Sequence, residues 1–95
     1  GIIISGGENI YPKEIEHLLY KLPRIDECAV VGRKDEKWGQ IPILYLVSAL
    51  PKNTVQDYMA DNLARYKIPK EIIYRKELPK NASGKIVRKM LQEEP

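Results

Sequence analysis

The chain has 95 residues, of which 43% are apolar and 31% charged, with a net charge of +3. That length accommodates one domain with one modest core, and no apolar run approaches the ~20 residues of a membrane span. The single cysteine, Cys28, excludes an internal disulfide, and the single histidine, His17, argues against a Ser–His or multi-histidine metal site; a cytoplasmic setting is expected.

In chain order, "GIII" opens a short strand, too brief an apolar run for a signal peptide. "SGGEN" (5–9) then places two glycines together, the composition of a strand-to-helix turn that needs positive φ or close backbone approach. Pro12 suits the first turn of a helix. Ile15, Leu18, Leu19 and Leu22 give that helix one apolar face, with Glu14, Glu16 and His17 on the other, and Pro23 ends it.

"ECAVVG" (27–32) reads as a strand with Cys28 as a core residue. "KDEKWGQ" is a polar loop with a buried Trp38, and "IPILYLVSA" (41–49) is the returning strand of a hairpin. Thr54 with Asp57 resembles a capping box for a helix whose inner stripe is Val55, Tyr58, Met59, Leu63 and Tyr66. "EIIYRKEL" (71–78) is a third strand. Ser83 is placed to cap a last helix with Ile86, Val87, Met90 and Leu91 inward. The order β-α-β-β-α-β-α implies an α+β fold, a small sheet of about three strands with helices packed on it.

Residues 65–90 hold nine Lys/Arg against Glu71 and Glu77, a local excess of +7. Such a segment is either a solvated face or a surface for an anionic partner. Within it, "LPKNASGKIVRK" (78–89) invites a phosphate-loop reading, but Pro79 stands where that motif needs glycine and Ile86 where it needs Ser or Thr. What the stretch does supply is a thin loop of small residues, Ala82, Ser83 and Gly84, carrying the long stem of Lys85. A flexible ammonium is a good point charge for a carboxylate or phosphate oxygen. Arg88 and Lys89 behind it read as solvated charges. "SGGEN" equally offers a backbone surface past which a thin ligand can run, with Glu8 and Asn9 at its rim.

Taken together, "IIISGGENIYPKEIE" (2–16), "VVGRKDEKWGQIP" (30–42), "LARYKIPKEI" (63–72) and "LPKNASGK" (78–85) closely resemble the C-terminal domain of the adenylate-forming enzymes, on their acyl-CoA synthetase branch. The resemblance covers essentially the whole chain. It implies that residues 1–95 are the mobile lid of a ligase that joins a carboxylic acid to coenzyme A, using ATP with Mg2+ and releasing AMP. The partner of such a lid is its own large N-terminal domain, which holds most of the nucleotide and acid pocket. The chain itself carries no metal site.

Further implications follow residue by residue. Lys85 matches the family's catalytic lysine, which stabilises charge as the carboxylate attacks the α-phosphate; Ser83 and Gly84 support its loop. Ser5, Gly6, Gly7, Glu8 and Asn9 match the turn that lines the pantetheine tunnel after the lid rotates for thioester formation. Trp38 and Gly39 match a family motif of structural character. Lys85 is also the position where a lysine acetyltransferase would act. The family's hinge lies at or just before Gly1, where glycine departs from the usual Asp or Lys and reads as a cloning remnant; the abrupt start reads as a truncation.

"WGQIP" and "SGGENIYP" resemble the o-succinylbenzoate–CoA ligases of menaquinone synthesis, and fatty-acid and aryl-acid ligases are the alternatives. A basic nucleic-acid-binding module would account for the +7 segment but not for "SGGENIYP", and its tyrosines fall on helix stripes instead of a presented strand face.

Overall fold

A computed structural model of the chain describes residues 1–95. The fold is α+β, a single sheet with helices on both faces, but the sheet has five strands where the sequence predicts about three. Two of the five lie in the first ten residues, the strand expected at "GIII" and a second that the sequence did not mark. β1 (Ile3–Ser5) and β2 (Glu8–Ile10) pair as an antiparallel hairpin closed by Ser5 opposite Glu8. Gly6 and Gly7 take φ of +57° and +81°. Two successive positive φ values give a turn whose twist matches the flanking strands. "SGGEN" is therefore a hairpin turn and not a strand-to-helix turn.

Helix α1 (Pro12–Tyr20) begins with its proline in the first turn and ends just before Pro23, as predicted. Strands β3 (Ile25–Asp35) and β4 (Gly39–Ser48) form the predicted antiparallel hairpin, although both run further into the polar loop than the apolar pattern indicates. Asp35 explains the tight reversal: its Oδ2 accepts the N–H groups of Lys37 and Trp38 at 3.0 and 2.8 Å. Trp38, predicted to be buried, is 44% exposed.

β4 is the hub of the sheet. β3 lies along one of its edges; β1 joins the start of the other edge at Ser5–Gly39, and β5 (Glu71–Tyr74) runs parallel to Ile43–Leu46 further along. Pro42 sits between those two pairings, with its carbonyl accepting the Lys70 N–H. A missing N–H costs no ladder bond at a gap between partners.

α2 (Lys52–Asn62) starts one residue after Pro51, so Thr54 lies inside the helix and the expected Thr54–Asp57 capping box does not form. Leu63 and Tyr66 fall beyond its end, Tyr66 within a 3₁₀ turn at Arg65–Lys67. The last helix, α3 (Arg88–Gln92), begins five residues after Ser83, so Ser83 is not its cap and Met90 points outward at 57% exposure.

Strand alternation sorts the core into two sets. Cys28, Val30, Leu44 and Leu46 face α1 and α2, joined by Ile15, Leu19, Val55 and Met59. Ala29, Val31, Ile43 and Tyr45 face the opposite way and are covered by Leu78 and Leu91. The C-terminal segment thus forms the second layer almost alone. No helix is long and apolar enough to cross a membrane.

Candidate functional site

Lys85 stands on a short reversal between Lys80 and Ile86, which pair as an isolated antiparallel bridge. Asn81, which sequence reasoning passed over, organises it. Its Oδ1 accepts the backbone N–H of Ser83 and of Lys85, each at 3.0 Å, and the Ser83 hydroxyl at 2.8 Å. The Asn81 N–H donates to the Lys85 carbonyl, and Gly84, at φ +87°, donates its N–H to the Asn81 carbonyl. One amide side chain thus satisfies the donors that a bare loop would leave to water. An Asn two positions before Ser was the available signal.

The loop is tied to the sheet at both ends. Lys80 Nζ lies 2.7 Å from Glu27 Oε2, while Glu27 Oε1 accepts the Leu78 N–H at 3.1 Å. At the other end, Arg88 is not the solvated charge the sequence implies: its guanidinium pairs with Glu16, which is buried at 7% exposure on α1. Glu16 was assigned to the exposed face of that helix. His17, beside it, is exposed as predicted. The ammonium of Lys85 itself is exposed and takes part in none of the chain's four ion pairs. It borders a cleft with Lys13, Tyr20, Ile86 and Arg88. Cys28 lies at the floor of this cleft, and burial pushes its thiol up to about 12, so the protonated form persists and the thiol is a core group, not a nucleophile.

The Ser5–Asn9 turn lies elsewhere. Ser5, Gly6 and Glu8 border a second cleft with Trp38, Arg65, Tyr66 and Lys70, and the two clefts have no lining residue in common. The indole of Trp38 lies directly over Gly6: a Cβ there would come within 2.6 Å of Trp38 Cε3, and the Gly6 N–H donates to the Trp38 carbonyl at 2.8 Å. Lys37 Nζ sits 5.0 Å from the ring centre. The cleft thus joins a flat aromatic wall and a glycine floor to two cationic side chains, Arg65 and Lys70, and the carboxylate of Glu8. Trp38, Arg65 and Lys70 belong to this cleft, a role not legible in single residues of a generally basic segment.

That segment also proves less bare than its +7 implies. All four ion pairs take their base from it and their acid from outside: Lys67 with Glu14, Arg75 with Glu94, Lys80 with Glu27 and Arg88 with Glu16. Three of the pairs, through Lys67, Lys80 and Arg88, tie the C-terminal segment to the rest of the domain, and five of the nine bases form no ion pair.

Residues 14–85 match the family described as AMP-binding enzyme C-terminal domain. Over 91 residues the chain is 56% identical to a 2-succinylbenzoate–CoA ligase of Lactococcus lactis, covering 96% of this chain and 20% of that protein. A ligase of the same name from Listeria monocytogenes is 49% identical over 94 residues, again 20% of its length. Among solved structures, the o-succinylbenzoate CoA synthetase of Bacillus subtilis in complex with its acyl-adenylate intermediate superposes with a TM-score of 0.88 at 44% identity, over 99% of this chain and 20% of that one. A fatty acyl CoA synthetase of Mycobacterium tuberculosis gives 0.91 at 42% identity, over 97% and 19%. The chain therefore spans about one fifth of the relatives it matches.

Proposed function

The chain belongs to the AMP-binding enzyme C-terminal domain family, and from that premise we propose that it is the lid of an ATP-dependent, AMP-forming acid–CoA ligase that acts in both half-reactions. The observation that carries this reading is the separation of the two loops: Lys85 and the Ser5–Asn9 turn border clefts with no residue in common. A body with two working faces must reorient to present each to one active site held by the remaining four fifths of the enzyme.

In the first orientation the exposed ammonium of Lys85 meets the acid carboxylate and the α-phosphate of ATP. As the carboxylate oxygen attacks phosphorus and pyrophosphate leaves, negative charge accumulates on the phosphoryl oxygens and Lys85 stabilises it. One such group commonly contributes ~10²–10³ in rate. In the second orientation the Ser5–Asn9 turn comes forward, with Gly6 and Gly7 leaving space for the pantetheine arm, Trp38 as its wall, and Arg65 and Lys70 available to its phosphates. The coenzyme's sulfur then attacks the acyl carbon, and AMP departs. The chain gathers no three His, Cys, Asp or Glu side chains suited to a metal ion, so the magnesium that accompanies ATP is assigned to the rest of the enzyme.

The acid is proposed to be 2-succinylbenzoate, because several relatives named for that substrate match over 96–97% of this chain. Lys85 is accessible to an acetyltransferase, and acetylation would cancel the charge on which adenylation depends.

The test is Lys85→Ala in the full-length ligase. Pyrophosphate release from 2-succinylbenzoate and ATP is expected to fall on the order of 10²–10³-fold, while transfer from preformed acyl-adenylate to coenzyme A continues. Equal loss of both steps refutes the division of labour. Turnover of a fatty or aryl acid in preference to 2-succinylbenzoate refutes the substrate assignment alone.

A further inference from the structure

Lys85 makes no side-chain bond within its own domain, so its position is set entirely by how its loop is held. One anchor is a single ammonium contact, Lys80 Nζ to Glu27 Oε2 at 2.7 Å. The other is of a different kind. Arg88, three residues after Lys85, donates from Nε to Glu16 Oε2 at 2.9 Å and from Nη2 to Glu16 Oε1. The same Oε2 accepts the Val30 N–H at 2.8 Å. Val30 lies on β3, whose outer edge carries no strand; Tyr20 OH accepts the Cys28 N–H two residues earlier on that edge at 3.0 Å. Two side chains of α1 thus cap the free edge of the sheet, and one of them extends the hold to α3. A paired guanidinium and carboxylate fix both distance and direction, which a single ammonium contact does not.

From this arrangement we propose that Glu16 and Arg88 are the positioning pair for Lys85: they set the angle at which its loop leaves the sheet, and they serve acyl-adenylate formation but not thioester formation. The inference rests on the reading of Lys85 as the adenylation residue. The selectivity follows from placement, because neither Glu16 nor Arg88 borders the cleft of Ser5, Gly6 and Trp38. Loss of the pair leaves the loop tied to the sheet through Glu27, which holds Lys80 and the Leu78 N–H, and through the packing of Leu78 and Leu91. Small displacements of a reacting group reduce rates by up to about 10²-fold.

Removing Arg88 alone strands a buried carboxylate, which can unfold the domain for reasons unrelated to position. The informative variant is therefore Glu16→Gln combined with Arg88→Met. It retains an acceptor for Val30 and an apolar stem for packing while deleting both charges. Arg88→Lys is its partner, restoring charge without the paired geometry. In the full-length ligase, with 2-succinylbenzoate, ATP and coenzyme A as probes, the double variant is expected to lose on the order of 10–100-fold in pyrophosphate release. Transfer from preformed adenylate should stay within about twofold, and Arg88→Lys should fall between wild type and the double variant. Amide hydrogen exchange should accelerate at Lys85 and Val87, whose N–H groups bond to Asn81 Oδ1 and the Pro79 carbonyl, and not at Gly6.

Unchanged exchange at Lys85 overturns the positioning role whatever the kinetics. So does a parallel fall of both half-reactions together with the thermal midpoint, which marks a purely structural pair. Lys85→Ala in the same assay separates the two readings: if it leaves adenylation intact, the assignment of Lys85 fails, while the exchange result still reports on the anchoring.

Discussion

A methyl group at Gly6 has no free space. It would meet Trp38 Cε3 at 2.6 Å, and the backbone at φ +57° already disfavours any side chain. Gly7, at φ +81°, has open space around its missing Cβ. The two glycines of "SGG" therefore do different work, one keeping the indole flat against the hairpin and the other only enabling the turn. For Gly6→Ala the left-handed conformation alone costs about 1–2 kcal/mol, read as a lowered thermal midpoint. The displaced indole should depress thioester formation more than adenylation. For Gly7→Ala the backbone cost is expected without the selective kinetic effect. That both glycines lie in a turn and that Lys85 stands on a thin loop was legible in the sequence, although the kind of turn was not. The orientation of Trp38 was not, because an aromatic residue in a polar loop carries no mark of whether it covers the core or forms a wall.

At the scale of elements, the Lys85 loop shows how little of a functional segment need be regular. Its order rests on Asn81 Oδ1, which accepts three hydrogen bonds. Such bonds are each worth about 0.5–1.5 kcal/mol at most, and less where water competes. Asn81→Ala should therefore lower global stability by only about 1 kcal/mol, measured by denaturant unfolding, while reducing adenylation by a larger factor than that loss explains. Asn81→Asp keeps the acceptor and should recover most of the rate.

Elements with a strong period were legible in advance: α1 from its apolar face, β3 and β4 from their continuous apolar runs. Those that were misplaced share a cause. α3 is five residues long and its supposed cap belongs to the preceding loop, and the β1–β2 hairpin has strands of three residues each. Elements this short are created by tertiary partners and not by local propensity.

Considered as a whole, the molecule has three of its four ion pairs tying residues 67–88 to acids among the first 27 residues, and a fourth within the C-terminal part. Two of the pairs involved titrate in reach of acid. The hydrogen bond from Lys80 holds the Glu27 carboxyl below its ordinary value of 4.5, and the Arg75 guanidinium does the same for Glu94. A carboxylate depressed by folding contributes stability that is complete above its unfolded value and lost as pH falls through its folded one. The thermal midpoint should thus be level from pH 7 to about 5 and decline below about 4.5. Glu94→Gln should lower it at pH 7 and flatten the acid decline, the two proteins converging in strong acid; an unchanged slope would remove Glu94 from this account. None of these pairings was legible in the sequence. Net charge by segment reports how many bases are present, and only the fold reports which acids face them.

The bond between Arg88 and Glu16 also has a temporal consequence. Its partners stand 72 positions apart in the chain. During synthesis α1 emerges long before the segment it is to hold, and the free edge of β3 must wait for its last cross-link until Arg88 has been made. A chain interrupted after Lys85 would possess the lysine proposed to act in adenylation and lack the pair proposed to aim it.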